Sequence, residues 1–369
     1  MTWYNENWKK RIKINTKNAQ VSAAYPWAMI YDTSAHLTGA EYNDFWSSIK
    51  ADGADIRMIK ADDETEVPRG VREFDTSEKE GLIYFKAEDI STSADVDFYI
   101  YFDNASADDY ADDNALGMEN VFSSDYKFYS TMADLTTSSI KDETSNENDG
   151  TKGAANNPVE TTGLIGKAQD NVNTSSRISV SAQASINNIW SGGGTVIFTI
   201  NQNTLSEGTA ISKLVTDSAW SIALWDSGNK IRLFHRFTGN NLATETTSSI
   251  FSTDTNYHIV FTYNKNSNSN RPDIFIDGTK VSVTTTDTPS GSAFSDAASP
   301  LHLMNNHNSN APLLGWLDEV SMIDGILSDD EIATISNNQS NNATFFDTGE
   351  IESSSTFNPA IARRRLLMR

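Results

Sequence analysis

The stretch from Tyr257 to Val283 limits what this chain can fold into more than any other. Tyr257, Ile259, Phe261 and Tyr263 share one parity, and His258, Val260 and Thr262 the other. A two-residue repeat of this kind belongs to a half-buried β-strand. Nine residues of Asn, Lys, Ser, Arg and Pro follow, and they read as an exposed connection. Asp273–Asp277 is then a return strand, and Asp277-Gly278 a tight turn into Thr279–Val283. The product is an antiparallel meander.

The same texture recurs along the chain. Short alternating segments are interrupted about every ten residues by Asn, Ser, Gly and Asp, the signature of all-β sandwiches. With 369 residues, 38% hydrophobic and 10% aromatic, there is material for two ordinary cores and a tail. Strands are expected at 9–15, 21–31, 53–59, 82–86 and 96–102 in a first domain. A second set is expected at 119–132, 176–180, 195–201, 210–215, 219–225, 230–237, 257–263, 273–277, 280–284, 300–304 and 314–323, with a last strand over Asn342–Phe346. Tyr42, Phe45, Trp46 and Ile49 fall at helical spacing and predict a short amphipathic helix. Residues 136–162, rich in Thr, Ser, Asn, Asp and Gly, read as a long polar loop.

Two groups of motifs carry family resemblances. The aromatic-His strand, polar loop and Asp-Gly turn at 257–278 resemble the laminin-G or concanavalin-A-like sandwich module. So do Leu314-Gly315-Trp316-Leu317-Asp318-Glu319-Val320 and the following Ile326–Ile332, where Ser328 and Glu331 form a capping box for a short closing helix. Upstream, Trp8 with its Lys/Arg-Ile-Lys-Ile strand, Gly53-Ala54-Asp55-Ile56-Arg57 and Tyr99-Ile100-Tyr101-Phe102-Asp103-Asn104-Ala105 resemble the DUF2341 family. That family usually carries Gly where Asp103 stands. The resemblances imply an all-β chain with a small N-terminal β-sandwich (1–125), a concanavalin-A-like jelly roll (126–347) and a linker with a tail (348–369).

Charge narrows the partners. Fifty acidic residues against 28 basic ones give a net charge of −22, and 19 of the acids lie between Asp52 and Asp113. Such a surface repels nucleic acid. Cysteine is absent, which removes disulfides and thiolate metal sites. No apolar run approaches the ~20 residues of a membrane helix. Met1-Thr2-Trp3-Tyr4-Asn5 shows no signal peptide, so an adhesive module needs another route out of a cell, such as assembly into a virus particle.

Familiar catalytic patterns are missing. Gly163–Lys167 lacks phosphate-loop spacing, no Gly-x-Ser-x-Gly occurs, and the Glu-x-Asp-x-x-Glu of retaining glycosidases on this fold is absent. Asp318 and Glu319 are adjacent on a strand and so point to opposite faces, which disqualifies them as one catalytic pair. For metal, the resembled module often holds Ca²⁺ at a rim, and the matching residues are Asp142, Asp149 and Asp318. For sugar, Trp220 and Trp225 lie on opposite faces of their strand. Trp220 joins Ile222 and Leu224 in the core, leaving Trp225 outward with Arg232 and Arg236 as a patch for a glycan or a partner. Arg363, Arg364, Arg365, Leu366 and Leu367 make a basic, apolar end on an acidic protein, suited to anchoring in a neighbouring subunit.

These features together lead to an expectation. The chain is a non-catalytic, adhesive bacteriophage virion protein, a capsid decoration or tail-associated subunit of an oligomer or larger assembly that displays a lectin-like module toward glycans. The alternative is a secreted or surface glycan-binding module or glycoside hydrolase.

Overall fold

The computed structural model describes residues 3–23, 27–88, 90–171, 176–215 and 219–354. Over them the chain is all-β and forms two compact units, one holding the residues up to Ser123 together with those from Asn337 onward, the other Ser124–Ser336. The expected C-terminal basic end, Arg363 to Leu367, lies outside the described residues.

The first unit is a small sandwich. Its five-stranded sheet runs in the order Phe346–Ser353, Lys10–Thr16, Val96–Phe102, Arg57–Lys60, Glu66–Val67. The second sheet is Trp27–Asp32, Glu80–Ala87, Arg69–Asp75. Alternation decides what lies between them: Phe85 of one sheet meets Phe98 of the other edge-to-face at 5.1 Å. The predicted helix forms over Asn43–Ser48, and Tyr42, Phe45, Trp46 and Ile49 are all buried. Asp103 has φ +64°, a left-handed conformation that explains why the resembled family prefers Gly there.

The sequence reading errs on the chain's return to this unit. Asn342–Phe345 is a helical turn, not a strand, and Phe346–Ser353 is not linker. It pairs antiparallel with Lys10–Thr16, Ile351 opposite Ile12 and Ser353 opposite Lys10. Just before it, the Asn338 amide closes the edge of the smaller sheet. Its Oδ1 accepts from the Ile30 N–H (2.9 Å) and its Nδ2 donates to the Ile30 carbonyl (3.0 Å). That edge would otherwise carry unpaired backbone groups.

The second unit is a larger two-sheet sandwich. One sheet has ten strands: Val283–Asp287, Leu242–Thr246, Lys230–His235, Trp220–Trp225, Gly208–Ser212, Leu301–Leu303, Ile178–Val180, Gly150–Lys152, Ser139–Ile140 and Asp134–Thr136. The other has eight, centred on Gly315–Asp324, Gly194–Gln202 and Asn256–Tyr263. Trp220, Ile222, Leu224, Ile231 and Leu233 from the first meet Val196, Phe198, Ile200, Ile259 and Phe261 from the second in one core. The Asp277-Gly278 turn has φ +50° and +75°, as a two-residue hairpin requires. The capping box is present: Ser328 N–H donates to Glu331 Oε2 (2.7 Å) and Glu331 N–H to Ser328 Oγ (3.3 Å), opening the helix Asp329–Ser340.

Three differences from the sequence reading stand out here. Asn256–Tyr263 is buried on both faces rather than half-buried, with His258 and Val260 as inaccessible as Ile259 and Phe261. At the start of the buried stretch the backbone N–H of His258 donates to Asp277 Oδ1 at 2.9 Å, tying the strand to the Asp277-Gly278 turn. Residues 136–162 are not one loop, since short strands there complete the sheet edges. Leu242–Thr246 is a strand with no apolar alternation to announce it.

Candidate functional site on the outer face of the ten-stranded sheet

Trp220–Trp225 and Lys230–His235 form a hairpin whose register places Ala223 opposite Arg232, Ser221 opposite Phe234 and Trp225 opposite Lys230. Alternation sends Trp220, Ile222, Leu224, Ile231, Leu233 and His235 inward, where all are buried. Trp225, Arg232, Phe234 and Arg236 are left half-buried on the outer side. The sequence-predicted trio Trp225, Arg232 and Arg236 is therefore brought to one face.

The face has a defined geometry. The Arg232 guanidinium lies over the Trp225 ring, 3.4 Å from its centroid, and 6.0 Å from that of Phe234. The Arg236 guanidinium is 5.7 Å from the Phe234 centroid. Cation and ring thus alternate along the hairpin, each holding the next in place. Arg232 Nε is buried and makes no hydrogen bond among the described residues. Burial lowers the guanidinium's proton affinity from its ordinary range, while the carboxylates of Glu245, Glu207 and Asp287 oppose that shift. Glu245, directly across from Arg232 on the next strand, also takes Lys230 Nζ at 3.2 Å. Glu245 escaped the sequence reading because Leu242–Thr246 carries no strand pattern.

The calcium expectation meets different geometry. Asp142 and Asp149 are neighbours, the Asp142 N–H donating to Asp149 Oδ1 at 2.9 Å. The Asp142 carboxylate, however, already accepts from the N–H groups of Tyr129 (3.1 Å), Thr144 (3.1 Å) and Asn148 (2.9 Å) and from Thr144 Oγ1 (2.9 Å). Three of these donors converge on Oδ1 and one takes Oδ2, so most of the lone-pair directions a cation would use are already engaged. Asp318 is engaged elsewhere, accepting from Leu164 N–H (3.0 Å) and Ile165 N–H (3.4 Å). Among the described residues no group of three or more carboxylates or imidazoles is gathered to hold a metal ion. Among the described residues, Asp142, Asp149 and Asp318 are not gathered into one metal-holding group.

The adjacent acids are buried too. Asp318 and Glu319 are 0% and 1% exposed, and Glu319 sits at φ +49° in a bulge of Gly315–Asp324, which breaks strict alternation. The Tyr129 hydroxyl donates to Glu319 Oε2, and burial, with Glu319 beside it, pushes that phenol well above its ordinary range. His302 is a buried strand residue whose Nδ1 lies 3.1 Å from Ser179 Oγ. No helix among the described residues is long and apolar enough to cross a membrane.

Comparison with known proteins places these units. Residues 161–333 match the family model of the concanavalin A-like lectin/glucanases superfamily, and residues 52–141 that of the domain of unknown function DUF2341. The chain thus carries a DUF2341 domain followed by a concanavalin-A-like, laminin-G-type module. No curated protein matches the chain. Among solved structures, the binding domain of Paraclostridial Mosquitocidal Protein 1 is 20% identical, with TM-score 0.46 over 58% of this chain and 52% of that one. Domain 4 of an extracellular arabinanase from Geobacillus stearothermophilus, solved with arabinotriose, is 18% identical (TM-score 0.41, 57% of this chain, 98% of that one). A Trypanosoma rangeli sialidase is 12% identical (TM-score 0.42, 57% and 32%). The chain spans about half the length of the first of these.

Proposed function

We propose that this chain, a DUF2341 domain joined to a concanavalin-A-like module, recognises glycans without cleaving them, through the face built by Trp225, Arg232, Phe234 and Arg236. The observation that carries the reading is the Arg232 guanidinium, seated 3.4 Å over the Trp225 ring with a buried Nε that no group among the described residues satisfies. A guanidinium fork matches vicinal hydroxyls or a carboxylate, and half-buried rings beside it offer apolar surface to sugar C–H groups. Because the cation is already held by its rings, little side-chain entropy remains to be lost on binding. In support of binding over hydrolysis, Asp318 and Glu319 are buried and hydrogen-bonded rather than facing a cleft.

The test is a glycan array with the intact chain, followed by titration of any hit against Trp225→Ala and Arg232→Met. Each substitution is expected to weaken binding about tenfold or more, the value of a lost charged hydrogen bond or aromatic contact. Binding that ignores both substitutions would remove the outer face from the account, and new reducing ends in the ligand would make the protein an enzyme.

The proposal extends to the carrier. The module is displayed on a bacteriophage virion, with Arg363, Arg364, Arg365, Leu366 and Leu367 anchoring it in a neighbouring subunit. What supports this is the contrast of three consecutive arginines and two leucines with a chain of net charge −22. Imaging of intact particles tests it: density for the module on the shell or tail is expected, and its absence from purified virions contradicts it.

A further inference from the structure

Two histidines meet on another part of the ten-stranded sheet. Leu301–Leu303 is one of its middle strands, and Leu301 and Leu303 belong to the core, which leaves His302 on the outer face. The neighbouring strand Ile178–Val180 sets Ser179 directly opposite, and Ser179 Oγ lies 3.1 Å from His302 Nδ1. The loop after Leu303 returns to the same spot and brings His307, half-buried, against His302. The two ring centroids are 5.7 Å apart, with the planes tilted by 41°. Arg177 fixes the loop: its Nη1 donates to the carbonyls of Asn306 (3.4 Å) and His307 and to Ser309 Oγ (2.9 Å), and its Nε to Ser179 Oγ (3.2 Å).

Each ring keeps one nitrogen in reserve. His302 is 2% exposed, and His302 Nε2 and His307 Nδ1 are both buried and make no hydrogen bond among the described residues. Native structures leave few such groups, so a pair on adjoining rings calls for a common partner. The ring spacing admits one ion. With metal–nitrogen bonds of about 2.0–2.1 Å, an imidazole centroid lies roughly 3.2 Å from the metal, so two rings on a tetrahedral ion stand about 5.2 Å apart and on a linear one about 6.4 Å. The observed 5.7 Å falls between them. The far nitrogen of His302 is held by Ser179, the outer contact that orients a metal-binding imidazole. Burial, with Arg177 and His307 beside it, lowers His302 to about 4, so at neutral pH the ring is a free base that no proton competes for. Asn308 and Asn310 of the same loop are exposed, so an ion reaches the pair from the surface without crossing the core.

We infer that His302 Nε2 and His307 Nδ1 together hold a late first-row divalent cation, of the zinc and copper class, with water completing its coordination. Donor type sets the choice: neutral imidazole suits Zn²⁺ and Cu²⁺, whereas Mg²⁺ and Ca²⁺ want oxygen ligands. Among the described residues no third imidazole or carboxylate joins the pair, so binding is moderate and the ion keeps open positions. The Arg177 charge opposes a cation, but its donors are turned to the loop carbonyls and to Ser179. Ser179 and Arg177 are positioning residues, the first for His302 and the second for the loop that carries His307.

The test is isothermal titration of the untagged, metal-free full chain with Zn²⁺, Cu²⁺ and Mg²⁺, repeated with His302→Gln, His307→Gln, Ser179→Ala and His36→Gln. One Zn²⁺ per chain is expected with Kd on the order of 10 μM, Cu²⁺ binding more tightly and Mg²⁺ not at all. His302→Gln and His307→Gln should each abolish saturable binding, Ser179→Ala should weaken it about tenfold or more, and His36→Gln should leave it unchanged. The electron paramagnetic resonance spectrum of the Cu²⁺ form should show coupling to two imidazole nitrogens. A thermal melt of each variant ensures that the comparison is between folded proteins. Should buried His302→Gln fail to fold, His307→Gln on the surface loop decides. The inference is overturned if neither Zn²⁺ nor Cu²⁺ binds saturably, if Mg²⁺ binds as tightly, or if folded His307→Gln binds like wild type. Bound Cu²⁺ coupled to fewer than two imidazole nitrogens would overturn it as well.

Discussion

Replacing Asp296 with alanine tests the buried electrostatics of the larger sandwich. The carboxylate is 1% exposed and accepts from Lys213 Nζ, whose side chain is 0% exposed, and from Trp220 Nε1. Without it the ammonium keeps only neutral partners, the Ile186 carbonyl and Asn187 Oδ1, each at 2.9 Å. Breaking a buried ion pair by removing one partner costs about 3–5 kcal/mol. The orphaned indole N–H adds about 1–3 kcal/mol, and since neighbouring losses are not additive the expected total is about 4–6 kcal/mol. For a unit the size of Ser124–Ser336 each kcal/mol moves Tm by about 2–4 °C, so the fall should be roughly 8–24 °C. The pH dependence carries a sign. Burial holds Lys213 below its ordinary value of 10.5, with Asp296 pulling it back up, so the substitution lowers it further. For a base whose folded pKa is depressed, the penalty is full below that pKa and relieved as pH rises toward the unfolded value. The deficit of Asp296→Ala against wild type, followed by differential scanning fluorimetry, should therefore shrink as pH rises toward the ordinary lysine value of 10.5. The double variant Lys213→Met/Asp296→Leu should recover most of the loss. A fall of less than roughly 4 °C, or a deficit that grows with pH, would refute the reasoning.

Further expectations follow from the same structure. Burial lowers the His235 imidazole to about 4, so its stabilising contribution is present above pH 6.5 and lost as pH falls toward 4. His235→Asn should flatten that part of the acid-melting curve relative to wild type by roughly 3 kcal/mol, and a parallel curve would count against it. Ser328→Ala should cost about 1 kcal/mol by removing the cap of Asp329–Ser340, while Ser328→Asp should restore it; equal melting of all three would exclude the cap as a stabilising element. Chelation of Ca²⁺ should leave Tm unchanged, because the Asp142 carboxylate is already engaged by four donors of the chain. A resident Ca²⁺ at a hundred times its Kd would contribute about 2.7 kcal/mol, and a matching fall in Tm would reinstate the metal.

The elements legible in the sequence were those whose signal is local. Alternation over 257–263, the Asp277-Gly278 turn and the Ser328/Glu331 box each fit within a few residues; the turn and the box have the expected form, and the alternation marked a strand that proves buried on both faces. The division between Trp220 and Trp225 followed from strand parity alone, and it put the Arg232–Trp225 stack within reach of the sequence. The pairing of Phe346–Ser353 with Lys10–Thr16 was not legible, because nothing local marks a partner more than three hundred residues away. Its edge position leaves Asp347, Glu350 and Glu352 among the exposed residues, and this dilutes the alternation. Leu242–Thr246 was hidden for a different reason: Thr244 and Thr246 take inward positions that apolar residues usually fill. In the acidic loop, the type of residue suggested a cation while the spacing Asp142-x-Thr144 favoured an Asx-type turn, and the turn prevailed.

Recognition at the outer face can be read directly from its indole. With all eight tryptophans replaced by 5-fluorotryptophan and the resonances assigned by single Trp→Phe variants, ¹⁹F NMR follows each ring as a glycan-array hit is added. The account predicts that the Trp225 signal shifts and saturates with the ligand, that Trp220 stays still, and that the glycan is recovered intact. A silent Trp225 under saturating ligand, or a cleaved glycan at the end of the titration, would contradict it.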